Sequence, residues 1–185
     1  LLTFLPLAPA LLLAVTIFGF FDQAALSLLP VYGLAHGMSQ DTATIALGVL
    51  IGGNVVLQMP IGWLADYMPR RLLMCLCALL ATLGAAALPF AVDEPVVLWP
   101  LLFVWGGVAF GTYTAAMAEL GQRFSGALLL AGNAAFAAMW GLGGIFGPPI
   151  SGVAMDSWGP NGLPISLALA FGALTVFALA RGGSN

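Results

Sequence analysis

One carboxylate, Asp22, stands near the middle of a long apolar run, between Phe21 and Gln23. At about 1.5 Å of rise per residue, it falls within about one turn of the centre of a bilayer-spanning helix. A charge at that depth costs at least ~2.5 kcal/mol, so the group must be protonated, paired or in contact with water. Two readings meet this demand. Asp22 is either a substrate contact or proton carrier, with Gln23 beside it, or a protonated carboxyl hydrogen-bonded across a helix bundle. Other polar groups sit at similar depth. Asn54 and Gln58 share one helix face; Tyr113 is flanked by Thr112 and Thr114; Asn133 and Trp140, seven apart, share another face. Each either lines a solute path or holds neighbouring helices together.

Two acid–arginine pairs come next. Gly62-Trp-Leu-Ala-Asp66-Tyr-Met-Pro-Arg70-Arg71 places Asp66 and Arg70 four apart, the spacing of an ion pair if the helix continues, and Gly62 is expected to permit close helix approach. Glu119 and Arg123 repeat the spacing further on. The run Gly143-Gly-Ile-Phe-Gly147-Pro148-Pro149-Ile-Ser-Gly152 carries tandem prolines, which remove two backbone donors and are expected to bend a helix. In a membrane such a break needs neighbours or a cavity to satisfy the freed carbonyls. Gly107 with Gly111, and Gly143 with Gly147, have the four-residue spacing that lets helices pack closely.

The elements that must position these residues follow from composition. Apolar residues make up 62% of the 185 and charged residues 6%. A soluble domain carries roughly 25% charged residues, so lipid is the expected solvent for most of these side chains. The net charge is −3, with four arginines and no lysine, which leaves no basic surface for nucleic acid. Cys75 and Cys77, two apart, point to different helix faces and read as small buried hydrophobes. Intramembrane proteolysis through aspartates needs two deep carboxylates, and only Asp22 is deep. A rhomboid-like site needs Gly-x-Ser-Gly and a membrane histidine, and neither occurs. His36 falls in a loop and reads as solvated. No cluster has metal-ligand spacing. The chain is read as no enzyme, with no catalytic residues, metal or cofactor.

Six runs are long enough to cross a bilayer, which takes about 20 residues: Pro9–Gly33, Thr44–Ala65, Leu72–Val92, Val96–Ala118, Leu128–Ala154 and Leu163–Ala180. They are continuous and rich in Ala, Leu and Gly, which favours helices over the alternation of a barrel. Arg70 and Arg71, Arg123 and Arg181 fall on one side of a six-span chain, while Asp41, Asp93, Glu94 and Asp156 fall on the other. The positive-inside rule then predicts a multi-pass inner-membrane protein with both termini of this segment in the cytoplasm.

The Gly62–Arg71 segment resembles the signature loop of the major facilitator superfamily, Gly-x-Leu-Ala-Asp-Arg-x-Gly-Arg-Arg, which joins the second and third helices of each six-helix half. Tyr67 replaces the usual Arg and Pro69 the usual Gly, a weakening typical of the second half. The resemblance covers nearly the whole chain. The segments Trp105-Gly-Gly-Val-Ala-Phe-Gly-Thr-Tyr-Thr114, Leu120-Gly-Gln-Arg-Phe124, Gly132-Asn-Ala-Ala-Phe136 and Gly147-Pro-Pro149 look like the YcaD-type branch of bacterial facilitator proteins.

What the resemblance implies is an all-α membrane fold over residues 1–185, with six transmembrane helices forming two inverted three-helix repeats. It implies the C-terminal half of a transporter whose N-terminal six-helix half is a further segment; the start at Leu1 rather than Met fits that expectation. It implies that Asp66, Arg70, Arg71, Glu119 and Arg123, with Gly62, hold the cytoplasmic helix ends in one state of a transport cycle, and that Gly143, Gly147, Pro148, Pro149 and Gly152 form the bend of the fifth helix. The expected function is secondary transport of a small solute by alternating access, with proton coupling as an option. The alternative is a non-transporting membrane scaffold or sensor of the same fold.

Overall fold

The structure, a computed structural model, describes residues 6–182. It contains α1 (Pro9–Ala35), α2 (Gln40–Tyr67), α3 (Arg70–Ala91), α4 (Pro95–Arg123), α5 (Gly126–Trp158) and α6 (Gly162–Gly182). All six are long and apolar enough to cross a bilayer, and no strand occurs among the described residues. Most helix ends lie beyond the expected runs, because the helices continue through their polar ends. At the start of α2, Ser39 Oγ accepts from the Thr42 amide at 3.2 Å and Asp41 sits in the first turn, both favourable at a helix N-terminus. Pro9 and Pro95 occupy the first turns of α1 and α4, where a missing N–H costs nothing. Gly159, at φ 72°, ends α5 in a region other residues avoid. Arg181 lies inside the last turn of α6 rather than after it. Its side chain, and Leu1, lie outside the described residues.

The most extensive interfaces pair α1 with α5 and α4 with α2. Each three-helix repeat thus packs its first helix on the second helix of the other, the exchange expected of two inverted repeats. In lipid the hydrophobic effect does not drive helices together, so close van der Waals packing must. Glycine supplies it at both crossings. A Cβ on Gly19 would strike the Trp140 carbonyl, on Gly143 that of Thr16, and on Gly147 that of Phe20. At the second crossing, Gly53 lies on the Phe103 carbonyl and Gly106 on that of Leu50, while Gly107 and Gly111 receive the Leu57 and Ile61 side chains. The spacing Gly107/Gly111 and Gly143/Gly147 therefore does what it was expected to do.

At Gly62, expected to permit close helix approach, and at Gly152, a side chain would meet open space within this half. The tandem prolines also leave α5 a single helix from Gly126 to Trp158.

The centre is aromatic. Phe21 meets Trp105 edge-on at 5.2 Å and Phe171 at 5.6 Å, which joins α1, α4 and α6. The buried Trp105 Nε1 donates to the Ala81 carbonyl of α3 at 3.0 Å, so its polar atom is satisfied. Cys75 and Cys77 are buried free thiols, and Cys77 packs beside Gly111. Their role as small hydrophobes matches the sequence reading. α2 and α5 are the least covered helices. Val55, Met59 (82% exposed) and Trp63 project from α2, and Ile145, Phe146 and Val153 from α5.

Candidate functional site

Asp22 is the central residue of α1 and is half-buried. Gln23 Nε2 donates to its Oδ2 at 3.2 Å. From the middle of α5, the Trp140 indole reaches the same carboxylate. The glycine crossing is what allows this approach: Gly19 lies on the Trp140 carbonyl, and Gly144 takes the Gln23 side chain. Three of the residues singled out from the sequence therefore form one group. One turn away, Phe18 stacks on Tyr113 with ring centroids 4.9 Å apart and meets Phe110 edge-on at 4.9 Å. Tyr113 thus stands near the carboxylate through Phe18, an aromatic bracket that the sequence reading did not include. Phe18 precedes Asp22 by four residues, a spacing that was available as a signal.

The other candidates do not join this group. Asn54 is at the centre of α2, and its Oδ1 is buried without a hydrogen-bond partner. Gln58, one turn on, is exposed. Asn133 is exposed on α5 and, seven residues from Trp140, lies about 10 Å along the helix axis from it. Thr112 and Thr114 donate to the Val108 and Phe110 carbonyls of their own helix, each at 3.3 Å, which occupies their hydroxyl protons locally.

At the arginine end, the helix does not continue from Asp66 to Arg70; Met68 and Pro69 separate α2 from α3. The ion pair still forms, Arg70 Nη2 to Asp66 Oδ1 at 3.9 Å, but Asp66 is 72% exposed. Arg70 is held chiefly by carbonyls, donating from Nε to Ala65 at 3.3 Å and from Nη1 to Ala118 at 3.1 Å. Arg71 Nη2 donates to the Ala178 carbonyl at 3.0 Å. Adjacent arginines at the start of α3 thereby reach the carbonyl-rich last turns of α2, α4 and α6, where a cation is favourable. Glu119 and Arg123 form no ion pair. Arg123 donates instead to the Leu7 carbonyl at 3.5 Å and lies 5.6 Å from the Phe124 ring. With Arg71 and Glu119 it lines a cavity of about 490 Å³ at the start of α1.

At the opposite end His36 is not a solvated loop residue. It caps α1, half-buried, with Nδ1 donating to the Tyr32 carbonyl at 2.9 Å and its ring 4.3 Å from that of Tyr32. The Tyr32 hydroxyl in turn donates to Asn161 Oδ1 at 3.3 Å, which ties α1 to the turn before α6.

A family profile described as the Major Facilitator Superfamily matches residues 5–182. An uncharacterized MFS-type transporter of Yersinia enterocolitica, YE1530, is 30% identical over 141 residues, 76% of this chain and 36% of the relative. The uncharacterized MFS-type transporters YcaD of Escherichia fergusonii and Escherichia coli are 30% and 28% identical over the same shares. The chain thus spans about a third of the length of the curated relatives it matches. No solved structure matches it. A six-helix bundle with exchanged repeats, a Gly62–Arg71 loop whose arginines brace the helix ends, and a profile covering nearly every described residue agree: this chain belongs to the Major Facilitator Superfamily, and it is similar to that family's YcaD-type members.

Proposed function

We propose that this chain is the C-terminal six-helix half of a secondary transporter, which moves a small solute across the bacterial inner membrane by alternating access. The observation that carries this reading is the polar group at the centre of the bundle. Asp22, Gln23 and Trp140 converge at mid-helix, and the Asn54 Oδ1 at the same depth is unpartnered. Polar groups at that depth are costly in lipid and mark solute pathways. The uncovered faces of α2 and α5 are where an N-terminal six-helix half would close the opposite wall. The weakened loop signature, with Tyr67 and Pro69, supports placing this half second. The arginines at the ends of α3, α4 and α6 support cytoplasmic termini.

In this reading Asp22 contacts substrate or carries a proton. Arg70 and Arg71 hold the cytoplasmic ends together in one state of the cycle, and the glycine crossings, which join one repeat to the other, let the six-helix half move as one rigid unit. The test is flux through the full reading frame in proteoliposomes under an imposed pH gradient. Solute accumulation that collapses with the gradient, and is lost in Asp22→Asn, supports the reading. Unchanged flux in Asp22→Asn removes that residue from the mechanism, and no flux for any compound favours a scaffold or sensor.

A further inference from the structure

We infer that the cavity at the start of α1 is a lipid site for a phosphatidylglycerol-type headgroup, a singly charged phosphodiester that bears free hydroxyls. The site is separate from the solute pathway. Its lining comes from the lead-in to α1, the first turn of α1, the start of α3 and the end of α4. None of it comes from α2 or α5, the helices whose uncovered faces the other half would close over. Asp22 stands twelve residues beyond Ala10 on α1, about 18 Å along the axis.

The cavity holds about 490 Å³, within the roughly 300–1,000 Å³ of small-molecule sites. Three charged side chains line it: Arg71 from α3, and Glu119 and Arg123 from α4. Among the described residues, neither arginine comes within ion-pair distance of Glu119. Opposite charges that share a cavity without touching leave room for a molecule that meets both. Arg71 Nη2 engages the Ala178 carbonyl and Arg123 Nη2 the Leu7 carbonyl. These contacts hold each guanidinium at the cavity, and most of its five N–H donors remain for a ligand.

The first turn of α1 adds further donors. Ala8 offers no side-chain cap, Pro9 has no N–H, and the Ala8 carbonyl accepts from Leu12 at 3.1 Å. The Ala10 and Leu11 amides, which line the cavity, are left without an acceptor among the described residues. They lie at the positive end of the helix dipole, where an anion is favourable.

Charge then selects the ligand. Two guanidinia and one carboxylate sum to one positive charge, so a monoanion balances the site. Guanidinium forks match phosphate oxygens, and a phosphodiester carries one negative charge. Hydroxyls on the same headgroup donate to Glu119, which can only accept when ionised. An ethanolamine headgroup would also meet Glu119, but as a zwitterion it leaves the positive charge uncompensated. Position makes the bilayer the source. Arg71, Glu119 and Arg123 lie within five residues of an end of α3 or α4, at headgroup depth. The buried Met74, one turn further into α3, lines the cavity more deeply, and Leu7, 41% exposed, brings apolar surface to its rim. Basic pockets between the ends of transmembrane helices suit anionic headgroups.

The experiment is native mass spectrometry of the purified full-length protein, delipidated in detergent and titrated with phosphatidylglycerol or phosphatidylethanolamine of the same chain length. The expected result is one phosphatidylglycerol held about tenfold more tightly than phosphatidylethanolamine. Arg71→Gln should weaken its binding by about tenfold. Arg123→Gln, at an exposed position, should weaken it by about fivefold, the loss of one basic contact at the membrane surface. Glu119→Leu should abolish the preference for phosphatidylglycerol over phosphatidylmethanol, a phosphodiester without hydroxyls. Monodisperse elution of each variant from a sizing column separates these effects from misfolding. Equal or tighter retention of phosphatidylethanolamine, or phosphatidylglycerol binding untouched by both arginine variants, overturns the inference. So does displacement of the lipid by equimolar glycerophosphoglycerol, which would make the ligand a soluble phosphodiester. Solute flux enters none of these readouts, so the transport reading stands or falls separately.

Discussion

The Arg70 guanidinium, from the first residue of α3, donates to the Ala118 carbonyl of α4 at 3.1 Å. The ion pair that its spacing suggested is the weaker contact, 3.9 Å long to a carboxylate that is mostly solvated. The signature loop therefore braces this half through helix-end carbonyls. Removing the guanidinium should cost more than removing the acid. Arg70→Ala should destabilise the protein by about 2 kcal/mol, the loss of charge-assisted hydrogen bonds. Asp66→Asn should cost about 0–1 kcal/mol, as exposed pairs do. Arg70→Lys should not recover the loss, since an ammonium cannot span two carbonyls as a planar fork does. Thermal unfolding in detergent orders the three variants, and a larger loss for Asp66→Asn would contradict this account.

The glycines divide into those pressed on backbone and those facing open space. Gly143→Ala sets a methyl against the Thr16 carbonyl and must push α1 from α5. Overpacking of this kind costs about 1–3 kcal/mol. It should also disturb the Asp22–Trp140 approach, which the same crossing sustains. Gly62→Ala and Gly152→Ala meet nothing in this half and should leave its stability unchanged. Detergent melting curves check the contrast; equal losses at all three positions would show that the crossing is not what makes Gly143 sensitive.

Asn54 offers a way to separate pathway from packing. Its Oδ1 is buried and bonds to nothing, so the fold gains little from it. Replacing an unsatisfied buried acceptor with an apolar side chain of similar size is neutral or stabilising. Asn54→Leu should therefore melt at or above the wild-type temperature while solute flux falls. A drop in melting temperature with flux intact would mark Asn54 as structural instead.

Trp105 combines a large buried surface with one satisfied donor. Trp105→Phe removes the bond to Ala81 and leaves a void above Gly84, which lies against the indole. The expected cost is about 2–4 kcal/mol, from cavity and hydrogen bond together. Because Trp105 also meets Phe21 at 5.2 Å, the loss should be smaller in a background already carrying Phe21→Leu. Additive losses would show that the two rings are not coupled.

The sequence by itself determined the solvent and the number of spans. With 6% charged residues, no arrangement of this chain could cover itself in water, and run length against bilayer thickness leaves six helices. It also determined that Asp22 would lie at mid-depth, since depth along a helix is set by residue count alone. Tertiary structure decided which helix faces which. Periodicity could not say that α5 rather than α2 would bring a partner to Asp22, because both are apolar nearly all round and carry polar residues at mid-helix. The choice came from Gly19, Gly143 and Gly147, whose missing side chains let the α1 and α5 backbones touch and so placed Trp140, not Asn54 or Asn133, beside the carboxylate. The same holds at the arginine end. Spacing along one strand of sequence suggested pairs between Asp66 and Arg70 and between Glu119 and Arg123, but a guanidinium binds whatever acceptors the fold presents. The last turns of neighbouring helices presented carbonyls from residues 48 and 107 positions away.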